Sequence, residues 1–163
     1  MLGKTDGASA ADGSSYLELV SFIKANGAAP KRDLTELWKR IVFNMAVSNT
    51  DDHMRNHGFI LKADGWHLSP LYDVNPVPEG DELSLCVNED DATISLDLAL
   101  EIGRHGGSIE LVERGAERPR GVERFLRVGQ LRELVADGAE IRLDLLHLAL
   151  PGRGELVVDG LLQ

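Results

Sequence analysis

"SNTDDHMRNHGFILKADGWHLSPLYDV", Ser48 to Val74, holds four aspartates, two asparagines and three histidines in about a sixth of the chain, and its pattern changes partway. "GFILK" and "WHLSP" flank "ADG", two short apolar-rich runs around a small turn. They predict a β-hairpin with a tight turn at residues 63 to 65 that uses Asp64-Gly65. An antiparallel pair brings the residues before its first strand close to those after its second, so Asn56 and Asp73 are expected to be neighbours. Asp51 stands five residues before Asn56, so two carboxylates and an amide oxygen can converge although they span 23 positions. Such hard oxygens suit Mg²⁺, which takes one or two protein carboxylates and completes its octahedron with water and phosphate oxygens. Nucleotide-dependent phosphoryl transfer asks for the same parts: a carboxylate to accept the proton of an attacking hydroxyl, and separate oxygen ligands for the metal. By itself DxxxxN has little specificity in a chain this acidic.

Outward from this stretch the periodicity is helical. Upstream, Leu34, Leu37, Trp38, Ile41 and Met45 recur at three- and four-residue steps, predicting a helix that follows a break at Pro30, is capped by Asp33 and ends near Ala46 or Val47. Before it, Ser15 and Glu18 have capping-box spacing, Leu19, Val20 and Ile23 form a stripe, and Gly27 stops the pattern, so "YLELVSFIKAN" is read as a helix. Residues 1–14, rich in Gly, Ala, Ser and Asp, are expected to be a flexible leading segment. Downstream, "LSLCV" reads as an apolar strand and Ser95 to Arg104 as a helix. The expected fold class is α+β, mainly helical, with the domain over residues 15–104. From residue 105 to 163 the composition shifts: all five lysines lie before residue 63, whereas nine of twelve arginines lie at Arg104 or later. "RLDLLHLALPGRGELVVDGLL" holds neither period for long, and no function is assigned to 105–163.

Composition narrows the class. At 163 residues and 43% apolar content the chain can bury one core. Its net charge of −10 argues against a broad phosphate-binding surface, so no direct nucleic-acid binding is expected. Cys86 is the only cysteine, which excludes an internal disulfide or a Cys-based zinc site and fits a reducing, cytoplasmic setting. No apolar run approaches the roughly 20 residues that span a bilayer, and no apolar signal-peptide core occurs at the N-terminus.

Other chemistries fit less well. His53 and His57, four apart, with His67 as a third ligand, could make a zinc site of a metal-dependent hydrolase, but Met54 stands where that motif needs Glu. Hydrogen-bonded loop histidines are the simpler reading. Ser69 precedes Pro70 without the GxSxG turn that exposes a nucleophile. Trp38 and Trp66 read as core and hairpin packing, and "NEDDA" at 88–92 as a solvated turn.

"FNMAVSNTDDHMRNHGFIL" followed by "WHLSPLYDVNP" resembles the catalytic and metal-binding segments of the HipA-like kinases, serine/threonine kinases of bacterial toxin–antitoxin systems. The resemblance covers roughly Ser15 to Leu100 and implies a protein-kinase-like C-terminal lobe with a catalytic β-hairpin. By position it implies Asp51 as catalytic base, Asn56 and Asp73 as metal ligands, and His53, Arg55, Asn56, Tyr72 and Asp73 around the nucleotide. Asp73 stands where other kinases have the Asp of DFG. Asp52 takes a place the family varies, and its loss is expected to be mild. The implied cofactors are Mg²⁺ and ATP. The implied partners are a protein substrate such as an aminoacyl-tRNA synthetase and a HipB-like antitoxin.

The sequence also departs from the family. No GxxxxGK[ST] or GxGxxG string occurs, and the Gly-rich phosphate loop and ATP-contacting lysine of the family have no counterpart here. The N-lobe is therefore expected to be absent or supplied by a separate polypeptide, and the isolated chain to have little kinase activity. "GGSIELVERGAERPRGVERFLRVGQ" matches no helix of the family, which is the expectation for a truncated or frameshifted reading frame. Two classes stay open on the residues: a partial catalytic lobe, or a non-catalytic remnant or protein-binding module of the same fold.

Overall fold

The computed structural model describes residues 7–77, 80–95, 98–99 and 101–103, together with three short strands between 123 and 159. Helix α1 spans Tyr16–Asn26. Ser15 caps it in extended conformation, and its own backbone N–H donates to Glu18 Oε1 at 3.3 Å, closing the capping box. Tyr16, Leu19, Val20 and Ile23 are buried along one stripe. Gly27 follows because nothing larger fits: a Cβ there would lie 2.6 Å from the Ile23 carbonyl oxygen.

Helix α2 spans Pro30–Ala46 and starts earlier than the sequence reading. Pro30 occupies the first helical turn, where its fixed φ is preorganised and its missing N–H costs nothing, so it opens the helix instead of breaking the chain before it. Asp33 is consequently inside α2 and does not cap it. Its buried carboxylate accepts the Leu68 backbone N–H at 3.1 Å and the Arg32 guanidinium at 2.9 Å. From Arg40 to Ala46 every residue is buried, so this half of α2 is enclosed on all sides.

The predicted hairpin is present as β1 (Phe59–Lys62) antiparallel to β2 (Gly65–Leu68), with Phe59 opposite Leu68 and Lys62 opposite Gly65. The turn lies one residue earlier than expected. Ala63-Asp64 form the two-residue loop, and Gly65 pairs with Lys62 at φ +127°, a conformation glycine adopts without strain. The Asp64 carboxylate accepts His67 Nε2–H at 2.9 Å, which holds its carboxyl below the usual carboxylate range. Since Arg32 donates to His67 Nδ1 at 2.7 Å and a guanidinium only donates, Nε2 must carry the proton. The hairpin docks on the α1–α2 corner: Phe22 packs on Phe59 with centroids 4.5 Å apart and on Trp66 at 6.1 Å, and Ala28 N–H donates to the Trp66 carbonyl at 2.8 Å. Buried Arg40 ties α2 to the end of β2 by donating to the Ser69 carbonyl at 2.6 Å.

"LSLCV" is core but not a strand. Leu83, Leu85, Cys86 and Val87 are buried, yet the segment forms only one isolated bridge, Cys86 with Ser15, and the residue before it another, Glu82 with Thr93. Its neighbour turns into α1 at Tyr16, leaving room for one reciprocal pair: Tyr16 N–H to the Cys86 carbonyl at 3.0 Å and Cys86 N–H to the Ser14 carbonyl at 2.9 Å. The leading segment therefore carries structure from residue 7, with a 3₁₀ turn at Ala10–Asp12 and Ala10 N–H bonded to the Ser84 carbonyl at 2.7 Å. Of the helix expected over 95–104, Leu98, Ala99 and residues 101–103 are helical, and the rest lies outside the described residues apart from Ser95, whose carbonyl accepts Ala99 N–H at 3.1 Å. Trp38 Nε1–H reaches the Ala99 carbonyl at 2.8 Å. Beyond residue 103 the described residues form β3 (Glu123–Leu126), β4 (Leu146–His147) and β5 (Leu156–Asp159), an antiparallel sheet of order β3-β5-β4. No helix among the described residues is long and apolar enough to cross a membrane.

Candidate functional site

The loop from α2 to β1 begins with a reversal. Asn49 N–H bonds back to the Asn44 carbonyl at 2.8 Å and Ser48 N–H to that of Met45 at 3.3 Å, the Schellman pattern. The left-handed position normally given to glycine is held by Ser48, at φ +52° and fully buried, with an unbonded hydroxyl. The chain then passes Thr50, whose carbonyl accepts the Ser84 hydroxyl at 2.6 Å and whose side chain lies against Gly80. A Cβ at residue 80 would fall 2.0 Å from Thr50 Cγ2.

The two aspartates that follow face opposite ways. Asp51 is exposed, whereas Asp52 is 1% exposed. One oxygen of Asp52, Oδ2, accepts the Tyr16 hydroxyl from α1, Asn44 Nδ2–H from α2 at 2.6 Å and His57 Nε2–H at 3.0 Å. Tyr16 packs edge-on against the His57 ring, and burial together with the Asp52 charge pushes its phenol well above the ordinary tyrosine value. Asp52 is the acceptor around which α1, α2 and the loop are joined, a structural role separate from its expected mild effect on phosphoryl transfer. The missed signal was Asn44, a polar residue three positions after Ile41 on the apolar stripe of α2.

A 3₁₀ turn at Met54–Asn56 buries Asn56, and its Nδ2 points at two backbone carbonyls, Asp51 at 3.3 Å and Asp73 at 3.4 Å. One amide thus links the loop before the hairpin to the chain after it, which places the backbones of Asp51 and Asp73 on either side of Asn56. Asp73 is exposed and sits at φ +57°, a second non-glycine residue in the left-handed region. Strain of this kind persists only where its surroundings enforce it and is frequent at functional sites. Asn75 Nδ2–H donates to Asp73 Oδ1 at 3.1 Å. Tyr72 closes the opposite side, its hydroxyl donating to the Arg55 carbonyl at 2.5 Å, while Arg55 Nη2 donates to His53 Nε2 at 3.2 Å.

The three histidines of the zinc reading are not brought together. His57 is turned to Asp52, His67 to Asp64 and Arg32, and His53 to Arg55. Among the described residues no group of three or more His, Cys, Asp or Glu side chains could hold a metal ion. The remaining donor set is two exposed carboxylates and one amide. With Nδ2 of Asn56 committed to backbone carbonyls, its Oδ1 is the atom that could coordinate a cation. These are hard oxygens and too few for an all-protein cage, which fits Mg²⁺ carried in with phosphate oxygens and water.

The model of the HipA-like C-terminal domain family matches residues 1–127 of the chain. Comparison with curated proteins and with solved structures finds no match.

Proposed function

The chain belongs to the HipA-like C-terminal domain family, and on that premise we propose that the loop and hairpin form the Mg²⁺–nucleotide site of a serine/threonine protein kinase, within a kinase-like C-terminal lobe. The observation that carries this reading is the Asn56 side chain, bonded to the backbones of both Asp51 and Asp73 across the open end of the hairpin.

In this reading Asp51, exposed and one residue from the buried anchor Asp52, accepts the proton of the attacking serine or threonine hydroxyl as its oxygen bonds to the γ-phosphorus. The bond between that phosphorus and the β–γ bridging oxygen breaks, and ADP leaves. Mg²⁺, when bound, neutralises charge on the phosphate oxygens. Asn56 Oδ1 and the Asp73 carboxylate would hold it. The Arg55 guanidinium, with His53 beside it, supplies donors for phosphate oxygens, and Tyr72 fixes Arg55 through its backbone carbonyl. Positioning and charge stabilisation provide most of phosphoryl-transfer catalysis, which explains why the asparagine and the hydrogen-bonded loop count as much as the base. The family resemblance extends the proposal to a translation-related protein substrate and a HipB-like antitoxin partner.

The test is titration of Mn²⁺ and ATP into isotope-labelled chain. Paramagnetic broadening should centre on Asp51, Asn56 and Asp73. Broadening confined to the acidic turn at residues 88–91, or none at all, would refute the site.

A further inference from the structure

We propose that Asn75 and Asn49 are positioning residues that hold the Asp73 carboxylate in register with the loop carrying Asp51 and Asn56, a proposal that rests on the kinase reading above. A continuous string of side-chain contacts supports it. Asn44 Nδ2–H donates to Asp52, Asn44 Oδ1 accepts Asn49 Nδ2–H at 3.2 Å, Asn49 Oδ1 accepts the Asn75 backbone N–H at 3.4 Å, and Asn75 Nδ2–H donates to Asp73 Oδ1. Asn44 and Asn49 are both fully buried.

The polarity of this string is fixed at its ends. A carboxylate only accepts and a backbone N–H only donates, so Asp52 at one end and Asn75 N–H at the other leave each buried amide one permitted orientation. Flipping either amide would break two bonds at once. In parallel, Val77 N–H donates to the Ser48 carbonyl at 3.1 Å, holding the segment after Asp73 beside the reversal at the end of α2. The outcome falls on Asp73. An exposed aspartate samples several rotamers, but with Oδ1 engaged by Asn75 its carboxylate is oriented before any ligand arrives. Groups that orient a ligating side chain commonly affect metal affinity by about 10- to 100-fold. Asn75 is exposed, so its contribution belongs at the lower end of that range.

The experiment uses the full chain and two readouts. Three-bond couplings across the Asp73 χ1 angle, measured without metal, should report one rotamer in the wild type and averaging in Asn75→Ala. Asn49→Ala should produce the same averaging by releasing the backbone of Asn75. In parallel, Mn²⁺ affinity in the presence of ATP should fall about tenfold in Asn75→Ala at an unchanged Tm, a separation that a purely structural role would not produce. Averaged couplings in the wild type, or a single rotamer retained in Asn75→Ala, would overturn the proposal. So would unchanged Mn²⁺ affinity in a variant whose couplings have averaged. A wild-type chain that takes up no Mn²⁺–ATP removes the kinase reading instead, and the couplings still decide whether Asn75 orients Asp73.

Discussion

Replacing Asp52 by alanine is the most demanding perturbation of this site, because the side chain removed is the shared acceptor of three buried donors. The Tyr16 hydroxyl, Asn44 Nδ2 and His57 Nε2 all converge on Asp52 Oδ2, and each of the four side chains is buried. Stranding one buried donor costs about 1–3 kcal/mol, so three stranded donors set an upper bound of about 9 kcal/mol. Relaxation of the freed groups and relief of the carboxylate's own desolvation reduce this. Removing one partner of a buried charged network costs about 3–5 kcal/mol. Against a total stability of about 5–15 kcal/mol that is a large share, equivalent to a fall in Tm of about 6–20 °C. Urea unfolding followed by the fluorescence of Trp38 and Trp66 measures it, with Asp51→Asn as the comparison. Asp51 is exposed and adjacent, so its change should stay within about 0.5 kcal/mol. The double variant Tyr16→Phe/Asp52→Ala should be less destabilised than the sum of the singles by about 1 kcal/mol or more, since it removes one stranded hydroxyl. If Asp52→Ala lies within about 1 kcal/mol of Asp51→Asn, well below the 3–5 kcal/mol expected for a buried network, the proposed hub does not exist.

Ser48→Gly should stabilise the chain by about 1 kcal/mol: it relieves about 1–2 kcal/mol of left-handed strain and a buried unbonded hydroxyl, against about 0.5–1 kcal/mol of extra unfolded-state entropy. Chemical denaturation showing a loss would refute this. Tyr16 makes stability fall at alkaline pH. Its folded-state value is raised, so its contribution is fully present below the unfolded value near pH 10 and declines above it by up to about 1.4 kcal/mol per pH unit. Tyr16→Phe should flatten the stability profile in that window relative to wild type, and parallel profiles would count against the buried phenol. In the kinase reading, with an N-lobe restored by fusion or in trans, Asp51→Asn should leave Mg²⁺–nucleotide affinity within about twofold while abolishing transfer, because shape is kept and the proton acceptor lost. Asp73→Asn should lower that affinity about tenfold or more, partly recovered by raising Mg²⁺. Equal effects on affinity, measured by titration calorimetry, would show that the two carboxylates do not have separate roles.

Short-range rules made much of this protein legible in advance. Ser15 and Glu18 lie within one helical turn, the stripe from Leu34 to Met45 repeats within a few residues, and a tight turn joins adjacent strands, so α1, the C-terminal end of α2 and the hairpin follow from neighbours in the chain. The hairpin in turn implied that Asn56 and Asp73 would meet. Other features had no local signature. Asp51 and Asp52 are identical side chains in consecutive positions, and what separates an exposed carboxylate from a buried anchor is Tyr16, 36 residues away, together with Asn44 on the enclosed face of α2. Pro30 and Asp33 could each have marked the start of α2. The choice was made by Leu68, whose backbone N–H needs the Asp33 carboxylate inside the fold. "LSLCV" has strand composition but only one turn of chain beside it to pair with. Hydrogen-bond partners and burial are properties of the assembled core, and a residue's type alone states which bonds it can make without saying which groups will be there to make them.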